Sequence, residues 1–153
     1  MKNCNCASVI KESNFEKARR KIREEKKSKK QIIFVSSDDD LTRKILEKEP
    51  VDTLVILQSH RKDRQKQRDS GFNQVLAKIA KKNKVKIGIC LDEILASNDK
   101  KRVDILARII QNIKLCSKNK IFMKFCPQNL RNIYDLKSLG LVLGMPTWMT
   151  KNL

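Results

Sequence analysis

The stretch Gln31-Ile32-Ile33-Phe34-Val35-Ser36-Ser37-Asp38-Asp39-Asp40-Leu41 carries the reading of the fold. Its first half is a short continuous apolar run, the signature of a strand buried on both faces. Ser36 to Asp40 then offers hydroxyls and carboxylates, which cap a helix start and suit its positive dipole end. Leu41, Ile45 and Leu46 continue at helical spacing and Pro50 closes the segment. This unit, a buried strand running straight into a capped helix, recurs outward in both directions. Asp52 to Leu57 reads as a second strand, Val85-Lys86-Ile87-Gly88-Ile89 as a third and Ile121 to Phe125 as a fourth.

Between them lie helices. Residues 11–30 form a basic surface helix with a narrow stripe of Phe15, Ala18 and Ile22. A helix from about Asn73 carries Val75, Leu76, Ile79 and Ala80 on one face, and a short turn holds Leu91, Ile94 and Leu95. The longest helix begins at Ser97-Asn98-Asp99, buries Val103, Leu106, Ala107, Ile110 and Ile113, and ends near Lys118-Asn119-Lys120. Pro127 to Asn132 reads as a loop, and Tyr134 to Leu143 as a last helix stopped by Gly144 and Pro146. Strands alternating with helices predict an α/β fold with a parallel sheet and right-handed crossovers. Strand starts near 32, 53, 85 and 121 lie close to the roughly 31 residues per unit of a (β/α)₈ barrel. The expectation is a TIM-barrel-like sheet, truncated or incomplete, with an open doubly wound sheet as the other choice. No glycine-rich phosphate loop follows any strand, so a nucleotide site is unsupported.

Length and charge bound the rest. The 153 residues suit a single barrel-like domain spanning 1–153, and 40% hydrophobic content supplies a core without disulfides. No apolar run approaches a membrane span, and the N-terminus lacks the apolar region of a secretory signal, so a cytoplasmic protein is expected. Thirty-five Lys and Arg against 17 Asp and Glu give a net charge of +18. Nucleic acid is the first candidate partner, because cations bind phosphates by releasing condensed counterions. An anionic membrane surface is the second, and a Lys-rich composition that only solvates the chain is the plain alternative.

Catalytic chemistry is poorly served. One histidine, His60, cannot form an acid–base pair of histidines, nor the His/Asp clusters of metallophosphoesterases. A polar contact suits His60 better than catalysis. Asp38-Asp39-Asp40 suits helix capping better than Mg²⁺, since serial carboxylates diverge at a helix start. Cys4-Asn5-Cys6 falls short of the roughly four ligands of a closed metal site, and Cys90, Cys116 and Cys126 read as small apolar fillers. Gln58 to Gly71 is the informative segment: a polar loop without periodicity or structure of its own, placing Arg61, Lys62, Arg64, Lys66 and Arg68 after a strand end. The helix after it adds Lys78, Lys81 and Lys82, and the whole suits phosphate contacts.

At this loop the sequence resembles a known family. Arg61-Lys62-Asp63, Asp69-Ser70-Gly71-Phe72-Asn73-Gln74-Val75-Leu76-Ala77-Lys78 and Val85-Lys86-Ile87-Gly88-Ile89 are similar to the TIM-barrel protein subunit of archaeal and eukaryotic ribonuclease P. Archaea call it component three. The likeness continues through Ser97-Asn98, Arg102, Gln111-Asn112-Ile113, Tyr134-Asp135-Leu136-Lys137-Ser138-Leu139-Gly140 and Val142-Leu143-Gly144-Met145. It covers 53–145 well and 9–52 in outline. Family members have further strand–helix units before Ile32 and another helix after the Gly-Met, and usually a His where Gln74 stands. The resemblance implies a barrel shortened at both ends, in an archaeal tRNA-processing ribonucleoprotein. In that family a catalytic RNA removes 5′ leaders from precursor tRNA with Mg²⁺, while the protein binds no cofactor and acts through the RNA and other subunits, notably component two. On this reading Arg61, Lys62, Arg64, Lys66, Arg68, Lys78, Lys81, Lys82, Arg102 and Arg131 are the expected RNA or partner contacts. A basic protein for another structured RNA, such as ribosomal RNA, is the alternative, and a stand-alone barrel hydrolase the remote one.

Overall fold

The computed structural model describes residues 7–126 and 131–153; Cys4-Asn5-Cys6 and most of the expected 127–132 loop lie outside them. Five strands, β1 (Ala7–Ile10), β2 (Gln31–Ser36), β3 (Thr53–Ile56), β4 (Lys86–Cys90) and β5 (Met123–Cys126), pair in parallel in that order. The consecutive order settles the architecture. A doubly wound sheet reverses its strand order at a switch point, whereas uniformly right-handed crossovers between successive neighbours place every helix on one face. This is barrel winding, left open among the described residues, where β1 pairs only with β2 and β5 only with β4.

The crossovers are α1 (Phe15–Lys27), α2 (Asp39–Lys48), α3 (Gln74–Lys82) and the pair α4 (Leu91–Ala96) and α5 (Asp99–Asn119), with α6 (Ile133–Val142) and α7 (Thr147–Thr150) after β5. The cap expected at Ser36 to Asp40 is in place, and Asn73 caps α3 in the same way, whereas Asn98 makes no side-chain cap bond to α5. Asp38 Oδ1 accepts from the Leu41 amide at 3.0 Å, and Asn73 Oδ1 from the Leu76 amide at 2.9 Å. Register sorts the strand residues by face. Ile32, Phe34, Leu54, Ile56, Ile87, Ile89 and Phe125 pack into one cluster with Ala18, Ile22, Ile45, Leu46, Ala77, Ala80 and Ile113 of the helices. Thr53, Val55 and Gly88 alternate onto the other face. A Cβ on Gly88 would meet Val55 Cγ2 at 2.5 Å and Thr53 Cγ2 and Cys126 Sγ at 3.2 Å, so only glycine fits between them.

Three readings from the sequence need correction. The strand β1 was not expected: it is four residues at an edge, with Val9 64% exposed, too short and too little buried to stand out as an apolar run. In α3 the buried face is Leu76, Ala77 and Ala80, while Val75 is exposed. In α5 the buried stripe is Ile105, Arg108, Ile109, Asn112, Ile113 and Cys116, with Val103 outside and Leu106, Ala107 and Ile110 half-buried. Two polar residues on the inner stripe displaced the apparent apolar one. The short α7, beyond the expected stop at Pro146, packs Met149 fully into the core. At the opposite edge the buried Glu49 carboxylate takes Arg23 at 3.1 and 3.2 Å, with Arg19 Nε 3.2 Å away but poorly aligned for a hydrogen bond. That joins the end of α2 to α1.

Candidate nucleic-acid interface

Parallel strands deliver their carboxyl ends to one side, where barrel-type sheets carry their working loops. The segment 58–73 emerges there from β3, and it has a structure. Gln58 is buried, and its Nε2 donates to the Ile56 carbonyl at 3.0 Å and the Ser70 carbonyl at 2.9 Å, pinching the two ends of the loop together. The Gln58 and Ser59 amides donate to the Glu93 carboxylate of α4 at 2.8–3.0 Å. Arg64 and Gln67 exchange backbone hydrogen bonds of 2.9 and 3.2 Å, closing a two-residue turn with Gln65 and Lys66 at its tip. Asp69 Oδ1 accepts from the Gly71 amide at 3.1 Å. The expectation of a loop without structure fails because, apart from the Arg64–Gln67 turn, these ties run through side chains and leave no periodic trace.

Two arginines bolt the loop down. Arg108, on the inner stripe of α5 with its side chain 5% exposed, donates from Nε to Asp63 Oδ1 at 2.8 Å and from Nη1 to the Gln58 carbonyl at 3.0 Å. The same Asp63 oxygen accepts from the Asp69 amide at 2.9 Å. The Arg108 hydrogen bond holds the Asp63 carboxyl below the usual carboxylate range, against a smaller opposing effect of burial. Arg61 is the other bolt. Its guanidinium pairs with Asp39, lies 3.7 Å from Asp69, and donates from Nε to the Leu57 carbonyl at 3.1 Å. It lies directly beneath Gly71, which is at φ +69°; a Cβ there would fall 2.2 Å from Arg61 Cζ.

The expected contact residues therefore separate into groups. Lys62, Arg64, Lys66 and Arg68 are exposed around the turn, and His60 is exposed at the start of the loop. Lys78, Lys81 and Lys82 are exposed on α3; this nine-residue helix is about 13 Å long, so Lys81 and Lys82 sit toward the amino ends of the strands. Arg131 is exposed just before α6. Arg61 and Arg102 are tied into the fold. Arg102 donates to the Ile94 carbonyl at 3.0 Å and the Ser97 carbonyl at 2.6 Å, satisfying the end of α4. Their guanidiniums are spent on backbone and carboxylates, which a reading of exposed charge from sequence cannot distinguish.

Beside the loop is a groove of about 760 Å³ between the start of α2, the start of α3 and the middle of α5. Arg64 and Arg68 line it, and so does Arg43, which the sequence reading missed because its carboxylate partner Glu47, at 2.9 Å, makes it look like an ordinary helix pair. The amino end of α3, capped by Asn73, opens into the groove with no acidic residue in its first turn, although Asp39, Asp40 and Asp69 also line the groove. Gln74, at that end, exchanges amide hydrogen bonds of 3.0 and 3.3 Å with Asn119. Among the described residues no three His, Cys, Asp or Glu side chains gather into a metal site, and no helix is long and apolar enough to cross a membrane. Burial pushes the Cys116 thiol up to about 12 and raises those of Cys90 and Cys126.

No family model matches the chain. Ribonuclease P protein component 3 of Methanosarcina acetivorans is 38% identical over 71 residues, 46% of this chain and 29% of the relative. The component 3 protein of Methanosarcina mazei matches with the same identity and coverage. The aligned segment is thus under a third of the length of these relatives. A chain of the cryo-EM structure of archaeal ribonuclease P with mature tRNA superposes with a TM-score of 0.75 at 22% identity, over 95% of this chain and 62% of that one. In sequence over nearly half its length this chain is similar to ribonuclease P protein component 3, and it has a barrel-like α/β fold present in an archaeal ribonuclease P.

Proposed function

We propose that the chain is a protein subunit of ribonuclease P that binds and stabilises the catalytic RNA responsible for removing 5′ leaders from precursor tRNA. The observation that carries this is the bolted basic loop at the carboxyl end of β3, in a chain similar to component 3. Arg64 and Arg68 with Arg43 offer planar donors to phosphate oxygens, and Lys62 and Lys66 mobile point charges. Lys78 and Arg131 are further exposed cations for RNA, while Lys81 and Lys82 suit a second RNA segment or another protein subunit. In this reading Mg²⁺ belongs to the RNA, component two is the partner protein, and the assembly works in an archaeal cytoplasm. A role with another structured RNA is the second reading, favoured by the net charge of +18, which draws the chain to any polyanion.

Reconstitution tests the proposal. The chain should bind an archaeal-type ribonuclease P RNA and raise Mg²⁺-dependent cleavage of precursor tRNA by that RNA with its other subunits. Alone it should leave precursor tRNA intact. Equal affinity for ribosomal RNA with no effect on cleavage would favour the second reading. Site-specific cleavage by the RNA-free protein, lost in His60→Ala, would overturn both.

A further inference from the structure

Asp63 stands among Lys62, Arg64, Lys66 and Arg68, where a negative charge opposes attraction to phosphate. Opposite it, Arg108 occupies the inner stripe of α5 among Ile105, Ile109, Ile113 and Cys116, where an apolar side chain would fill the space without a buried charge. The two residues are 45 apart in sequence and joined at 2.8 Å. Through this pair α5 reaches both ends of the loop: Arg108 also holds the Gln58 carbonyl, and Asp63 also holds the Asp69 amide. Arg64, meanwhile, is only 3.5 Å from Asp69, loosely paired and 76% exposed. The loop thus has a fixed frame and free cationic tips.

We infer that Asp63 and Arg108 are positioning residues, an internal ion pair that holds the basic loop in its RNA-binding shape at the expense of one unit of favourable charge. This rests on the RNA-binding reading above and adds to it a division of labour within one loop. A cation on a loop already ordered loses less conformational freedom when it meets a phosphate, so the pair raises affinity without touching RNA.

The sign of one substitution separates this from plain electrostatics. Asp63→Ala raises the net charge by one, so a loop acting only as a charge patch would bind RNA as tightly or tighter. Positioning requires the reverse. In fluorescence titrations with an archaeal-type ribonuclease P RNA, Asp63→Ala should weaken binding roughly tenfold while keeping the salt slope of the unsubstituted protein, because every phosphate-binding cation remains. Hydrogen exchange at the Asp69 amide should speed up and the melting temperature should fall, since the largely buried Arg108 loses its carboxylate; the titrations are run well below that temperature. Arg64→Ala with Arg68→Ala should weaken binding and also flatten the slope by about two units. Arg108→Met should reproduce the Asp63→Ala loss, and the double variant should be no weaker than either single one, since both break the same tie; should Arg108→Met not fold, Asp63→Ala decides. Unchanged or tighter RNA binding by Asp63→Ala, or fully additive losses, would overturn the inference. Failure of the unsubstituted chain to bind, or indifference to the Arg64/Arg68 change, would instead overturn the RNA-binding reading and this inference with it.

Discussion

Gly88 lies at the centre of the sheet's helix-free face, hemmed in by Val55, Thr53 and Cys126. Val55 and Thr53 are β-branched and stiff at χ1, so a methyl group 2.5 Å from Val55 Cγ2 cannot be absorbed by a rotamer change. Gly88→Ala should cost about 1–3 kcal/mol, as overpacking does, read as a lower denaturant midpoint with an unchanged slope. Asp63 makes a pH statement. Its carboxyl is held low by Arg108, so its contribution to stability is complete above the ordinary carboxylate value near about 4 and disappears as pH falls through its lower folded value. The Asp69 amide resonance, which reports the Asp63 acceptor, should therefore stay constant from neutral pH down to about 4 and shift below it. A midpoint at or above 4 would mean that the Arg108 bond is absent in solution. Cys116, with its thiol pushed up to about 12, should resist alkylation at neutral pH in the folded chain, unlike in denaturant.

Elements succeed or fail as sequence signals according to what fills their buried stripe. Strands β2, β3 and β4 stood out because both faces are covered and continuous Ile, Leu, Val and Phe mark them. The helix α5 misled because Arg108 and Asn112 sit on its inner face, leaving Val103 and Leu106 as the more conspicuous stripe. The loop misled in the opposite sense, since every cation in it looks alike. Their roles differ by experiment. Changing Lys62, Lys66 and Arg68 to Ala should move stability by less than about 0.5 kcal/mol each, because they are exposed and without special features. Arg61→Ala should cost more, since it strips Asp39, Asp69 and the Leu57 carbonyl of a largely buried partner. Thermal unfolding of the four single variants side by side checks the ordering; equal melting temperatures would place Arg61 with the exposed set.

On the scale of the whole molecule, charge and parallel pairing govern behaviour. On the proposed function, a net +18 spread over a 17.8 kDa body makes counterion release the main drive for binding RNA. If the loop and Arg43 neutralise about five phosphates, a tenfold rise in salt should lower RNA affinity by roughly three to five logarithms. A flat dependence between low and physiological ionic strength would remove the interface assigned here. Parallel pairing places that interface: because the strands all run the same way, the β3 loop and the start of α4 emerge on one side.

By itself the sequence determined the local alphabet of this protein: strands alternating with helices, hence a parallel sheet, and a basic segment after the strand at 53–56. Those follow from periodicity, capping chemistry and charge, which act over a few residues and so are written in consecutive positions. Only the tertiary structure decided that the sheet is open with consecutive order, that a fifth strand lies at its edge, and which arginines face solvent. Arg108 reaches Asp63 across 45 residues, and Arg61 reaches Asp39 across 22. An ion pair formed at that separation leaves no spacing in the chain; it exists because α5 and the start of α2 are packed on either side of one loop.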